Sequence, residues 1–220
     1  MIDTIIFDMD GTLLNTLDDL TDSVNFAMEQ MGVPLHTADE VRMMVGNSAH
    51  HLIKCALPDG AGEDEITRCL EIFEKHYHGN LRNKTAPYEG IIDMLGKVKA
   101  AGYKLAVVSN KSDGFTKELT RDFFGEFIST AIGRSERFPR KPAPDSVWHA
   151  MELLGSTRET TVYVGDSEVD CITARNAGLP CIGCLWGFRD RVTLEAEGVT
   201  AVISHPSELV DAIASIDSKE

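Results

Sequence analysis

The chain has 220 residues, is 43% hydrophobic and carries 21 lysines and arginines against 35 aspartates and glutamates, a formal charge of −14 at pH 7. That length permits one large domain or a domain with a substantial insertion, and the acidic balance argues against nucleic acid and anionic membrane surfaces as partners. No apolar run approaches the roughly 20 residues that cross a bilayer, and acids stand where a signal peptide needs bases, so the chain reads as cytoplasmic.

The first predicted strand runs into "TIIFDMDGTLLNT", residues 4–16, where Asp8 and Asp10 follow an apolar run and precede Gly11 and Thr12. Asp-Gly by itself marks a turn. The second acid leaves three readings open: a turn, a metal site or a nucleophile. Alternate residues leaving a strand point the same way, so both carboxylates are expected to face one ligand.

Next comes a segment with no convincing strand. Amphipathic helices are predicted over 17–31, stopped by Gly32 and Pro34, then 37–45, 47–57 stopped by Pro58, and 63–78. This is an all-helical insertion, and it divides the chain into a core of residues 1–15 and 84–220 and a cap of residues 16–83. Met28, Met31, Met43 and Met44 read as the core of that cap. His50 and His51 are adjacent and His76 and His78 are two apart; neither spacing puts a pair on one helix face, which argues against zinc. The turn at Gly46 and Asn47 can present backbone N–H groups to a substrate.

From about residue 91 short β-branched runs alternate with helical patterns. Strands are predicted at 103–109, near 128–132, at 160–166, at "PCIGCL" and at "TAVIS"; helices lie near 112–124, after Pro144, up to Ala177, after "PCIGCL" and from Pro206 to about Ile216. The alternation means βαβ units. The fold class expected is therefore α/β, a doubly wound parallel sheet with a Rossmann-like core and the inserted all-helical cap. Five cysteines, an odd number, read as reduced thiols. Cys181 and Cys184 have a redox spacing, yet three residues apart on a strand they face opposite sides and read as buried hydrophobes.

Ligands of open parallel sheets sit beyond the carboxyl ends of the strands. The residues there are Asp8 and Asp10, then Ser109 and Asn110, then Gly165, Asp166 and Ser167. Three converging carboxylates repel one another unless a cation intervenes, and all-oxygen ligation suits Mg²⁺. With the metal in place one carboxylate is free to act as a nucleophile. Phosphoryl transfer also needs donors, which the Gly11–Thr12 backbone, the Ser109 hydroxyl and Lys141 can supply. Lys141 lies in "PRKPAPD", residues 139–145, between two prolines. Taken singly, each residue has a plainer reading: Asp-Gly as a turn, Ser109 and Ser167 as helix caps, Lys141 as a solvated lysine. Their joint occurrence at strand ends favours catalysis.

"DMDGT" after an apolar strand, "SN" closing the second, a lysine before "PAPD", and "GDSEVD" together resemble the four motifs of the haloacid-dehalogenase-like hydrolase superfamily, in its order and strand context. The helical insertion resembles the cap of one subclass. The resemblance implies Asp8 as the nucleophile that forms an aspartyl-phosphate, and Asp10 as the general acid/base. It implies Ser109 holding the phosphoryl group and Lys141 neutralising it and orienting Asp8. Mg²⁺ would be held by Asp8, Asp166 and the Asp10 main-chain carbonyl, with Asp170 behind them or reaching the metal through water. Gly11, Thr12, Gly46, Asn47 and Asn110 are the expected substrate contacts.

Within the superfamily, dehalogenases replace the second acid by Tyr and phosphonate-cleaving members by Ala, so Asp10 excludes both. Mutases carry a histidine and basic residues where this chain has Leu20, Val45 and Ala49. "VGNSAHHLI" (45–53) and "WGFRD" (186–190) look like phosphoglycolate phosphatases and their relatives, including small pyrophosphatases. The activity implied is Mg²⁺-dependent hydrolysis of a small phosphomonoester, phosphoglycolate favoured, with pyrophosphate, a sugar phosphate or a nucleotide as alternatives. The expected partner is a small phosphorylated metabolite, with neither nucleic acid nor membrane, and the chain is expected as a monomer or weak dimer.

Overall fold

A computed structural model describes residues 1–218. The chain starts in strand β1 (Thr4–Phe7), and two short strands, β2 (Leu14–Asn15) and β3 (Ala86–Pro87), pair with each other as a two-stranded sheet. Two compact units result, Met1–Leu14 with Pro87–Glu220, and Asn15–Ala86. The crossings thus fall at 14/15 and 86/87 rather than at the expected 15/16 and 83/84, because paired backbone, not the last helical residue, marks where the chain changes unit.

The helical unit contains α1 (Leu17–Met31), α2 (Ala38–Met44), α3 (Ala49–Ala56) and α4 (Glu63–Asn80). Helix α1 ends on Gly32 at φ 70°, a left-handed conformation that costs a glycine little. Thr37 and Glu40 form a capping box on α2, and Ser48 caps α3. Val24, Met28, Val41, Leu52, Ile53, Ile66, Phe73 and Tyr77 are buried in this unit. Met43, expected in the core, is 66% exposed: it falls on the solvent side of a helix of only seven residues. Asp19 is buried on α1, and its carboxylate accepts the backbone N–H groups of Lys84 (3.0 Å) and Thr85 (2.8 Å), which tie the end of the unit to its beginning.

The other unit continues with α5 (Ile91–Ala100), β4 (Lys104–Ser112), α6 (Asp113–Phe124), β5 (Thr130–Arg134), α7 (Asp145–Leu154) and β6 (Thr161–Gly165). It closes with α8 (Glu168–Ala177), β7 (Cys181–Cys184), α9 (Arg191–Ala196), β8 (Ala201–Ile203) and α10 (Leu209–Asp217). Six strands form one sheet in the order β5-β4-β1-β6-β7-β8, and every neighbouring pair is parallel. This is the α/β architecture the alternating pattern predicts. Strand β1 is central, with Ile6 opposite Ala106 and Tyr163. All four of its residues are buried, as are all five of β6, because helices cover both faces. Ile6, Ala106, Val108, Ile132 and Tyr163 pack against Val147, Ala150 and Met151 of α7 and Ala174 of α8. Ile5, Phe7, Leu105 and Val107 are equally buried and point to the opposite face by alternation. Each such side chain contributes on the order of 1.5–3 kcal/mol by leaving water.

From β1 the sheet grows one way through β4 and β5, then returns to the other side of β1 with β6. That reversal is a topological switch point, where the carboxyl ends of the strands open a crevice. Strand β4 is longer than expected and irregular. Val108 pairs with Ile132 and Ser112 with Arg134, so Ser109, Asn110 and Lys111 stand opposite Gly133 alone. Such a bulge takes residues out of the ladder and re-aims their side chains.

The cysteines described are free thiols. Cys181 Sγ lies 4.0 Å from Cys171 Sγ in the core, whereas Cys184 Sγ lies 3.9 Å from Thr12 Oγ1 on the opposite side of the sheet. Among the described residues no helix is long and apolar enough to cross a membrane.

Candidate active site

The carboxyl end of β1 passes directly into Asp8, whose N–H donates to Val164 O (2.9 Å), so the first carboxylate is fixed against β6. The chain then folds back: Leu13 and Leu14 N–H both donate to Met9 O at 3.0 Å. Gly11 makes the turn possible with φ +86°, and a Cβ there would run into the carboxylate of Asp166.

Lys141 is the hub of the site. It is 2% exposed, and its Nζ lies within hydrogen-bond distance of Asp8 Oδ1 (2.8 Å), Asp170 Oδ1 (2.8 Å), Tyr163 OH (3.0 Å) and Val108 O (3.2 Å), four acceptors sharing three donors. Asn110 fixes the lysine from behind: Lys141 N donates to Asn110 Oδ1 (2.8 Å) and Asn110 Nδ2 donates to Lys141 O (3.1 Å). Asn110 was expected to touch substrate. Its side chain is instead committed to the lysine backbone, because the β4 bulge points it that way.

Asp166 follows β6. Its Oδ1 accepts from Thr12 Oγ1 (3.0 Å) and its Oδ2 from Phe188 N (2.8 Å). The loop after β7 is built around this carboxylate. Gly187 packs so tightly that a Cβ would overlap Asp166 and Gly11 O, and Trp186 Nε1 donates to Thr12 O (2.9 Å). The "WGFRD" stretch therefore earns its place by backbone approach and one N–H donor. Asp170 has all its acceptor capacity in use: Oδ1 takes Lys141 and Tyr163, and Oδ2 takes Ser167 N (3.2 Å) and Ser167 Oγ (2.7 Å). It caps α8 and anchors Lys141 at once, which places it behind the site.

Asp10 turns to another cation. Its Oδ1 lies 3.1 Å from Lys111 Nζ, the two side chains being 14% and 5% exposed. Ser109 is buried, and its Oγ accepts the Lys111 N–H (3.3 Å). Lys111 is absent from the sequence-based site. No letter in the sequence marks it, because the bulge that carries β4 past Ser109 breaks the alternation by which a strand face is read. Tyr163 was hidden for a different reason, since in "TTVYVGD" it reads as one more apolar strand residue. Gly46, at φ +118°, and Asn47 belong to the helical unit, between α2 and α3.

Burial dominates the electrostatics. It pushes the Asp8 carboxyl up to about 7, against the pull of Lys141 and with the help of the Asp170 charge. Burial likewise holds Asp166 well above the usual carboxylate range, reinforced by Asp170 and Asp8. For Lys141 burial alone would lower the ammonium, but the charges of Asp170 and Asp8 outweigh it and keep it well above its ordinary value. When all four are ionised, Asp8, Asp10, Asp166 and Asp170 face two ammonium groups, Lys111 and Lys141, a deficit of two positive charges.

A divalent cation matches that deficit. Oxygens of Asp8, Asp166 and Asp170 lie within 4.8 Å of one another, all three buried. Because Asp170 is saturated, Asp8 and Asp166 are the carboxylates with lone pairs to spare. An all-oxygen donor set fits a hard cation such as Mg²⁺. The Asp10 carboxylate stands outside this trio, on Lys111, so any part it plays toward a cation goes through its main-chain carbonyl.

Residues 5–184 match the family model described as haloacid dehalogenase-like hydrolase. The phosphoglycolate phosphatase of Mesorhizobium japonicum is 33% identical over 214 residues, covering 96% of this chain and 94% of that protein. Phosphoglycolate phosphatase 1 of Pseudomonas aeruginosa is 30% identical over 212 residues, 94% of this chain and 78% of that one. A crystal structure from Lactobacillus delbrueckii subsp. bulgaricus, of a protein provisionally assigned as a phosphoglycolate phosphatase, superposes with a TM-score of 0.92 at 33% identity over 96% of this chain and 98% of that one. With the matched region running through Asp8, Ser109, Lys141 and Asp166, the chain belongs to the haloacid dehalogenase-like hydrolases.

Proposed function

We propose that this phosphatase of the haloacid dehalogenase-like family hydrolyses a small phosphomonoester, phosphoglycolate first among them, by way of an aspartyl-phosphate on Asp8 and with Mg²⁺. The observation that carries the reading is the buried Lys141 joined to Asp8 and backed by Asp170, beside Asp166 at the switch point of the sheet. The names of the relatives favour phosphoglycolate.

In this mechanism Lys141 holds Asp8 by one oxygen and presents the carboxylate to phosphorus. The Asp8–phosphorus bond forms as the ester oxygen leaves, and Asp10 gives that oxygen its proton. Asp10 then takes a proton from water, whose oxygen attacks the phosphorus and frees Asp8 with release of phosphate. The Ser109 hydroxyl holds a phosphoryl oxygen, whereas the N–H groups of Gly11 and Thr12, expected as donors, are taken by Leu14 O (2.9 Å) and Met9 O (3.3 Å) in closing the turn. Asp8, Asp166 and the main-chain carbonyl of Asp10 would hold Mg²⁺, which supplies positive charge to the phosphoryl group when bound.

The test is phosphate release from a metabolite panel, with Mg²⁺ and with a chelator. Phosphoglycolate is expected to give the highest kcat/KM and the chelator to abolish turnover. No release from any member, or release indifferent to chelator, would reject the mechanism; a higher value for pyrophosphate, a sugar phosphate or a nucleotide would reject the substrate.

Two further outcomes follow from the geometry. Gly187→Ala forces a methyl group against Asp166 and Gly11 O. The Mg²⁺ concentration for half-maximal activity should rise by about 10–100-fold, the usual cost of disturbing what positions a metal ligand. Metal and pH are also linked. Asp8 titrates near 7 in the folded protein against 3.8 for the free side chain, so between these values the folded chain holds a proton the unfolded chain has lost. Stability without metal therefore falls as pH rises through that window. Saturating Mg²⁺, which binds the deprotonated carboxylates, should raise Tm more at pH 8 than at pH 5. Equal gains in differential scanning fluorimetry at the two pH values would contradict this.

A further inference from the structure

We infer that Lys111 is the residue that selects substrates whose leaving group is itself anionic, by meeting a carboxylate placed one carbon from the ester oxygen. The inference rests on the proposed role of Asp10 at that oxygen, and it carries the substrate question from the phosphate to the other end of the molecule.

Lys111 is held by the β4 bulge with its side chain 5% exposed, and its Nζ lies 3.1 Å from Asp10 Oδ1. Asp10 Oδ1 is buried and makes no hydrogen bond of good geometry, so this cation is what faces it. In the proposed reaction the Asp10 carboxyl touches the ester oxygen. A cation in contact with Asp10 is then within two hydrogen-bond lengths of that oxygen. A carboxylate one carbon beyond the ester oxygen falls at that distance, whereas an alkyl leaving group puts nothing polar there.

The charge balance points the same way. Lys141 is engaged by Asp8 and Asp170, on the side of the nucleophile. A substrate with an extra negative charge must enter a cleft containing four carboxylates, on a chain of net charge −14. Without a cation at the leaving-group end, that charge would be repelled and stripped of water with nothing in return. Lys111 and Lys141 thus divide the site, one ammonium for each end of the substrate.

The experiment compares phosphoglycolate with ethyl phosphate, which keeps the chain length and lacks the carboxylate, on the wild type, Lys111→Met and Lys111→Arg, each checked for folding by circular dichroism. Lys111→Met should slow both substrates, since Asp10 loses its partner. The ratio of kcat/KM for phosphoglycolate over ethyl phosphate should fall by a further factor of about 30, the scale of one charge-assisted hydrogen bond. Lys111→Arg should recover most of that ratio. If the wild type prefers phosphoglycolate and Lys111→Met keeps the preference within about threefold, well short of what such a bond is worth, Lys111 serves Asp10 alone and the inference is overturned. If the wild type itself has no preference, the phosphoglycolate reading fails and takes this one with it.

Discussion

Asp8→Asn is expected to lower phosphate release by at least about 10⁴-fold, as removal of an attacking group does in enzymes that form covalent intermediates. The replacement keeps the size and planarity of the side chain, so Lys141, Asp166 and Asp170 stay in place. The amide cannot form the phosphoryl intermediate. A second readout distinguishes this loss from misfolding. Asp8 is held up to about 7 by burial and the charge of Asp170, which means that its ionised form opposes folding of the metal-free protein at neutral pH. The variant should therefore melt no lower than the wild type at pH 8 in chelator, while being inactive. Retained turnover would remove Asp8 from the role of nucleophile.

Lys141→Met has the opposite signature. The lysine is buried with four contacts from Nζ, two of them to buried carboxylates. Deleting its charge leaves Asp8 and Asp170 facing each other without a cation, and breaking a buried ion pair in this way costs about 3–5 kcal/mol. Urea denaturation in chelator at pH 8 should show that loss, and lowering the pH to 5 should return part of it, because protonated carboxyls no longer need the lysine. Activity should fall by about 10²–10³-fold or more, since Asp8 loses its orientation and the phosphoryl group a donor. A change in stability below about 1 kcal/mol would mean that the cluster is neutralised by other means.

The sheet and the helical insertion were legible because the strands are short apolar runs broken by polar residues, and because α1 and α8 stop at Gly32 and Gly178 and α3 just before Pro58. Asp8 and Asp166 were legible as polar residues standing where apolar strands end, Ser109 as the polar residue that breaks the apolar run of β4, and Lys141, in the loop after β5, by its setting between two prolines. What stayed hidden depends on packing between distant segments. Asn110 sits next to Ser109 in a promising motif, and only the loop bearing Lys141 decides that it serves that backbone. Tyr163 looks like strand filling until its hydroxyl is seen within 3.0 Å of Lys141 Nζ. Lys111 was missed because the expected strand ended at Ser109, and the bulge that carries the strand onward has no marker in its letters. Met43 was placed in a core by composition, although its position on α2 faces solvent.

The β4 bulge carries a constraint on chain length as well as on side chains. Three residues stand where its neighbour strand has one, and they set one hydroxyl against the Lys111 N–H, one amide against the backbone of Lys141 and one ammonium against Asp10. Insertion or deletion of a single residue between Val108 and Ser112 would rotate these three assignments together and leave every catalytic letter present in the wrong seat. Relatives that keep "SN" but change the spacing to the following helix should, on this reasoning, be read as having altered chemistry even when their motifs align.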